Sequence, residues 1–344
     1  MLSSTLNTSL KRYVETLPSR NTMFVTGPYE SGKSQTLNLL AEDLFTKQRL
    51  VLNLDASKFP TEVEFVSHLK TSLLDGLLKL RPYLSADILK SLNPKSMNKS
   101  ISLPLGLDSQ LGQTYLRISK SIDQILNKDN TISTYGIYNF FSVLHSFSDT
   151  IRPVIFLHSG DTLINTSLYH IVSSSLSRKN LYTNFVPTVI ELRDSSILNN
   201  ISHLSSLNTI RISCSQDFNE TAFEILIRSK IFSAYELRRV STRLGAHGGA
   251  LAHVFEDLKF GINIDEAIEH EENRINEIVN NALTRAVKKS QFVQKLCKSS
   301  DGAFAADVAD VMSLKKLFEK GLLYTDDKMR TKVANKGVMK ALCT

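Results

Sequence analysis

Apolar residues along this chain fall into two kinds of run. Short, β-rich runs occur at Thr22-Met23-Phe24-Val25-Thr26, Leu50-Val51-Leu52-Asn53-Leu54-Asp55, Pro153-Val154-Ile155-Phe156-Leu157, Val186 to Leu192 and Thr209-Ile210-Arg211-Ile212-Ser213. Near-continuous apolar runs of this length suit strands buried on both faces. Between them, apolar positions recur at helical spacing. Leu37, Leu40 and Leu44 form one stripe, and Phe65, Val66, Leu69, Leu73 and Leu77 form another behind Pro60. A third helix is predicted from about Thr134 to Ser148, with Tyr138, Phe141 and Leu144 on one side, and a fourth over Leu163 to Ser177. Strands alternating with helices imply a parallel sheet covered on both faces. Ahead of the first strand, Leu10, Tyr13, Val14 and Leu17 make a stripe that stops at Pro18, which favours a docking helix. The Ser/Thr-rich start with Lys11 and Arg12 also resembles a short transit peptide. Residues 91–110 are rich in Ser, Asn, Lys and Pro and predict an insertion or a mobile loop.

After Ser215 the pattern is helical. Asn219 can cap a helix through Phe223, Leu226 and Ile227, and a second covers Ala234 to Leu244 before Gly245. A third runs from about Gly249 to Leu258 and ends near Gly261. Asp265 can cap a long fourth through Ile268, Ile275, Ile278, Ala282 and Ala286. Over the last fifty residues, the groups Phe292-Val293-Leu296, Val308-Val311 and Leu314-Leu317-Phe318 predict three short helices, the last stopped by Gly321. A hairpin from Leu322-Leu323-Tyr324 through Asp326-Asp327 to Met329–Val333 follows, then a helix with Val338, Met339 and Leu342. Three helices followed by a hairpin make a winged-helix arrangement. The expected division is a core over 1–215 with an insertion at about 81–132, a helical lid over 216–290 and a winged-helix unit over 291–344.

The chemistry concentrates at Gly27-Pro28-Tyr29-Glu30-Ser31-Gly32-Lys33-Ser34, which reads G-x-x-x-x-G-K-S between a predicted strand and a predicted helix. This is the phosphate-binding P-loop. Its backbone N–H groups cradle phosphates, Lys33 reaches the β- and γ-phosphates, and the Ser34 hydroxyl can ligate Mg²⁺. The helix N-terminus adds its own affinity for anions. Gly27, Tyr29, Glu30, Ser31, Gly32, Lys33, Ser34 and Gln35 are the candidate nucleotide contacts.

Charge is unevenly placed. Residues 285–344 hold thirteen Lys/Arg against six Asp/Glu, an excess equal to the whole net charge of +7. A basic terminal segment suits an acidic partner such as nucleic acid, an anionic membrane surface or an acidic protein face. Lys315, Lys316 and Lys320 on the third short helix, with Lys328, Arg330 and Lys332 on the hairpin, are the candidate phosphate contacts. No Arg/Asn/Gln set suited to reading bases accompanies them. Cys214, Cys297 and Cys343 are widely spaced and odd in number. They show neither metal spacing nor a disulfide framework, which fits a reducing compartment. No apolar run approaches the roughly 20 residues of a bilayer span. The expected location is intracellular, cytoplasmic or mitochondrial.

A P-loop α/β core, a helical bundle and a winged helix in this order resemble the AAA+ and STAND-type P-loop ATPases, the archaeal ATPase-like branch in particular. A second similarity lies at Leu244-Gly245-Ala246-His247-Gly248-Gly249 and Gly261-Ile262-Asn263-Ile264-Asp265-Glu266-Ala267. It resembles the lid of fungal mitochondrial inner-membrane ATPase-like proteins tied to nucleoid maintenance. The resemblance implies ATP or ADP with Mg²⁺, a protein partner or an oligomer, and an acidic pair closing the third core strand. This chain has His158-Ser159 there. Asp161 and Asp55 are the remaining catalytic candidates, and the expectation is a nucleotide held with slow or no hydrolysis. An active oligomeric remodeller and a DNA-binding initiator or recombination-associated ATPase are the alternatives. The resemblance also implies a γ-phosphate sensor near Arg193-Asp194 and a sensor arginine among Arg238, Arg239 and Arg243. His247 has no partner spacing for a metal and reads as a loop histidine.

Overall fold

The computed structural model describes residues 4–15, 22–27, 32–59, 61–92, 109–162, 186–192, 209–213, 220–245, 247–283, 285–288, 290–299, 302–303, 314–320, 322–325 and 330–343. Its first part alternates strands and helices. Helix α1 (Ser4–Glu15) precedes β1 (Thr22–Thr26), α2 (Lys33–Thr46), β2 (Val51–Asp55) and α3 (Glu62–Leu80). Then come α4 (Ala86–Ser91), α5 (Ser109–Asp123), α6 (Thr134–His145), β3 (Val154–His158), β4 (Thr188–Glu191) and β5 (Thr209–Ser213). The five strands form one sheet in the order β2-β3-β4-β1-β5, and every neighbouring pair is parallel. The order places β4 between β3 and β1, so the ends of β3 and β4 lie on one side of the strand that leads into the P-loop.

Burial explains why the runs became strands. Met23, Phe24, Val25, Leu52, Val154, Phe156, Val189 and Ile190 are all buried, so these strands are covered on both faces. Helix α1 docks on the sheet as its stripe predicted, with Leu10, Tyr13 and Val14 buried. The Tyr13 hydroxyl donates to Thr188 O at 3.2 Å and accepts from Thr188 N at 3.3 Å. Arg49 donates from Nη1 to Val14 O at 2.8 Å and from Nε to Arg152 O at 3.2 Å, tying the end of α1 to the start of β3. The outer edge of β2 is covered by α3. Ser72 Oγ donates to Asn53 O at 3.0 Å, and a Cβ on Gly76 would stand 2.6 Å from Val51 O. Only glycine lets the helix approach this closely, and the covered edge is protected from pairing with another chain.

Among the described residues, the C-terminal part is helical apart from one hairpin and a bridge between Ala303 and Thr331. It contains α7 (Glu220–Arg228), α8 (Ala234–Arg243), α9 (Gly248–Lys259), α10 (Ile264–Ala282), α11 (Arg285–Lys288), α12 (Gln291–Lys298) and α13 (Lys315–Glu319). Strands β6 (Leu323–Thr325) and β7 (Thr331–Val333) pair antiparallel before α14 (Lys336–Cys343). One apolar cluster runs from Phe232 through Leu244, Ile268 and Val293 to Leu323 and Leu342. Helix α14 packs on both α10 and α12. Among the described residues, no helix is long and apolar enough to cross a membrane.

Several sequence expectations are corrected in detail. Thr61 rather than Pro60 caps α3, through a capping box in which Thr61 Oγ1 accepts from Glu64 N and Glu64 Oε2 accepts from Thr61 N. Asn263 rather than Asp265 caps α10, its Oδ1 accepting from Glu266 N at 3.0 Å. Asp265 falls in the first turn, where its charge opposes the helix dipole. Cys297 and Cys343 form a disulfide between α12 and α14, against the expectation of unpaired cysteines. Their 46-residue separation conceals a proximity that only the packing of α14 creates. The loop predicted at 91–110 falls largely, and the helix at Leu163 to Ser177 wholly, outside the described residues; the helix at Val308-Val311 does too.

Candidate functional site

The P-loop enters from β1 and leaves into α2. Gly27 has φ 149° and Gly32 has φ 78°, backbone conformations that L side chains rarely adopt. Gly32 leads directly into Lys33 and Ser34 in the first turn of α2, where the helix leaves backbone N–H groups without intrahelical partners. Lys33 is buried, and its Nζ donates to Gly27 O at 2.9 Å. The ammonium therefore folds back over its own loop. Pro28, Tyr29, Glu30 and Ser31 lie outside the described residues.

A carboxylate from a neighbouring strand meets this turn. Glu191 closes β4 and pairs in register with Val25, two residues before Gly27. Its Oε1 accepts from Ser34 Oγ at 2.8 Å, and its Oε2 lies 2.7 Å from His158 Nδ1. Only 5% of Glu191 is exposed. Burial by itself would raise its pKa, but the His158 hydrogen bond, the Lys33 charge and the Ser34 hydrogen bond outweigh burial and hold it below the ordinary value. Glu191 is thus an ionised carboxylate against the P-loop serine.

His158 takes the position at which an acidic residue was expected. With a carboxylate as acceptor, Nδ1 carries a proton. Nε2 lies 2.6 Å from Asn53 Oδ1, and Asn53 Nδ2 in turn donates to Asn38 Oδ1 at 2.9 Å. A polar chain runs from Ser34 through Glu191, His158 and Asn53 back to Asn38 on α2. Ser159 follows with φ 54°, a left-handed conformation that is uncommon outside glycine.

The other sequence candidates divide as follows. Asp55 accepts from Ser57 N at 3.1 Å and Ser57 Oγ at 2.7 Å, capping the short 3-10 turn Ala56–Lys58. Burial raises its pKa, while the bonds from Ser57 and Ser159 bring it below the ordinary value. Asp161 lies in the 3-10 turn Gly160–Thr162, its side chain outside the described residues. Arg193, Asp194 and Lys328 also lie outside them. Gln35 lines a cavity of about 470 Å³ between α2, α3 and β2, which Asn53 borders and Lys33 and Ser34 do not. Arg239 pairs with Asp265 and Arg243 with Glu272, while Arg238 is exposed. His247 is buried immediately before α9. Lys315, Lys316 and Lys320 are exposed around α13, and Arg330 and Lys332 are half-buried at β7. Among the described residues, no cluster of three or more His, Cys, Asp or Glu could hold a metal ion alone.

Sequence reasoning missed Glu191 and Asn53. Glu191 was visible as an acidic residue ending an otherwise apolar strand, but the strand order that sets β4 against β1 was not.

No protein-family model matches the sequence, and no curated protein matches it. Among solved structures, a Walker-type ATPase of Pyrococcus abyssi superposes with a TM-score of 0.60 at 11% identity, over 100% of this chain and 96% of its own. Cdc6p of Pyrobaculum aerophilum gives a TM-score of 0.43 at 12% identity, over 98% and 93%. The second likeness is too loose to carry weight. The first shows that this chain has the fold of a Walker-type ATPase.

Proposed function

We propose that this chain binds ATP with Mg²⁺ at its P-loop and acts as a nucleotide-dependent switch or scaffold that hydrolyses slowly or not at all. The observation that carries the reading is the convergence of Lys33 and Ser34 with a strand β3 that ends on His158-Ser159 instead of a carboxylate pair. The binding half of the site is complete. Loss of a water-activating group commonly lowers turnover by about 10² to 10⁴. Adenine is favoured by resemblance, and no guanine-reading N-K-x-D segment occurs. Nucleotide occupancy would set the relative positions of core, lid and winged-helix unit, with Arg238, Arg239 or Arg243 reporting on it.

The test is to identify the nucleotide that co-purifies with the wild type and with Lys33→Ala. ATP recovered from the wild type alone supports the reading. ADP alone, together with multiple turnover, would remove slow hydrolysis and favour an active remodeller.

The exposed lysines around α13 favour a second reading, nucleic-acid association by the C-terminal segment. Salt-dependent DNA binding lost on charge reversal of Lys315, Lys316 and Lys328 would support it. No binding at low salt would eliminate it.

A further inference from the structure

A nucleotide's Mg²⁺ is a hard cation that needs oxygen donors, and P-loop proteins supply one from the loop hydroxyl and one from a strand-end carboxylate. In this chain the strand that should supply the carboxylate, β3, ends on an imidazole. The adjacent strand β4 ends on a carboxylate at the same level, since Leu157 pairs with Ile190 and the next residues are His158 and Glu191. We infer that Glu191 is the carboxylate serving the Mg²⁺ of a bound nucleotide, and that His158 is the positioning residue that holds it there. The inference rests on the nucleotide-binding reading above.

Three observations carry it. The first is contact: Glu191 Oε1 touches the Ser34 hydroxyl, which the P-loop motif assigns to the metal. The second is charge. An acidic side chain with 5% exposure beside the loop is costly to bury unless cations accompany it. Lys33 supplies one such charge here, and phosphates arriving at the loop would draw on that same ammonium. A divalent cation beside Glu191 and Ser34 restores the balance. The third is orientation. His158 is gripped from both ring nitrogens, by Glu191 and by Asn53, and Asn53 is itself fixed by Asn38. A ring held at both ends fixes the carboxylate it touches, in the manner of the outer-shell partners that orient metal ligands. The fit concerns donor chemistry: a carboxylate and a hydroxyl are oxygen donors of the kind that Mg²⁺ takes.

The experiment measures the affinity of the full-length protein for a fluorescent ATP analogue, with Mg²⁺ and with EDTA. The wild type should bind at least about tenfold more tightly with Mg²⁺. Glu191→Gln keeps the shape and removes the charge; it should lose that increment while its affinity in EDTA is unchanged or higher. His158→Leu should behave likewise, and His158→Gln, which retains an N–H donor, should recover part of the increment. Mn²⁺ substituted for Mg²⁺ gives a readout independent of affinity. Its electron paramagnetic resonance should show one ion per bound nucleotide in the wild type and a depleted signal in Glu191→Gln. Should Glu191→Gln fail to fold by thermal melting, Glu191→Asp, which keeps the charge and retracts it, is read in the same two assays and should weaken both. A Mg²⁺ increment that survives in the folded Glu191 variant overturns the inference and leaves the P-loop reading intact. An increment that survives in His158→Leu removes the positioning role. A wild type that binds no nucleotide in either condition overturns the P-loop reading itself.

Discussion

The hydroxyl of Ser34 donates to the carboxylate of Glu191 across 2.8 Å, although 157 residues separate them in the chain. Ser34 belongs to the first turn of a helix and Glu191 to the end of a strand two positions from the sheet's β5 edge. Their contact joins the part of the site that holds phosphates to the part where the expected acidic pair is missing.

Lys33→Ala should weaken nucleotide retention. A charge-assisted hydrogen bond contributes about 1.5–3 kcal/mol, so affinity should fall by roughly 10- to 100-fold. Titration with a fluorescent nucleotide checks this. Circular dichroism of the variant checks that the loss comes from the site and not from unfolding.

Gly76→Ala should destabilise the core by about 1–3 kcal/mol. The added methyl would stand 2.6 Å from Val51 O, a backbone atom that cannot swing aside. Urea unfolding should show a lower midpoint with an unchanged slope. An effect near zero would mean that α3 lies further from β2.

Reduction should loosen the C-terminal part selectively. The disulfide Cys297–Cys343 closes a loop of 46 residues between α12 and α14. Its removal by dithiothreitol or by Cys297→Ser should cost about 2–4 kcal/mol. Thermal melts with and without reductant test this, and peptide mapping under non-reducing conditions should recover Cys297 linked to Cys343 with Cys214 separate.

The docking of α1 should weaken in acid. Asp43 on α2 sits 3.2 Å from both Lys11 of α1 and Lys47. Burial raises the Asp43 pKa, but the two lysines outweigh it and bring it below 3.8. A carboxylate depressed in the folded state stabilises fully above its unfolded pKa, and that contribution is lost as pH falls through the folded value. The pair is partly exposed, so the effect should stay below about 1 kcal/mol. Asp43→Asn should therefore be slightly less stable than wild type at pH 7, with the gap closing below about pH 3.8. Hydrogen exchange in α1 reads the difference.

Much of the fold was legible because it depends on local chemistry. The run Met23-Phe24-Val25 is apolar on both faces and became a central strand. The stripe Leu10, Tyr13 and Val14 became a buried helix face. Residues 323–325 and 331–333 pair antiparallel within the segment expected to form a hairpin. Caps were less legible: Asn263 competes with Asp265, which has similar capping chemistry, and side-chain geometry selects between them.

The sequence by itself determined that a P-loop stands between a strand and a helix, because glycine spacing and the Lys33-Ser34 pair are local requirements of phosphate binding. It also determined that β3 would end without a carboxylate. Only the tertiary structure decided that β4 lies between β3 and β1, and so brings Glu191 to Ser34 and His158. The same holds for Cys297 and Cys343, which meet because α14 packs on α12. The physical reason is common to both. Sheet order and helix docking are settled by which apolar faces bury one another across the whole chain, and that choice leaves no mark in the spacing of the residues it brings together.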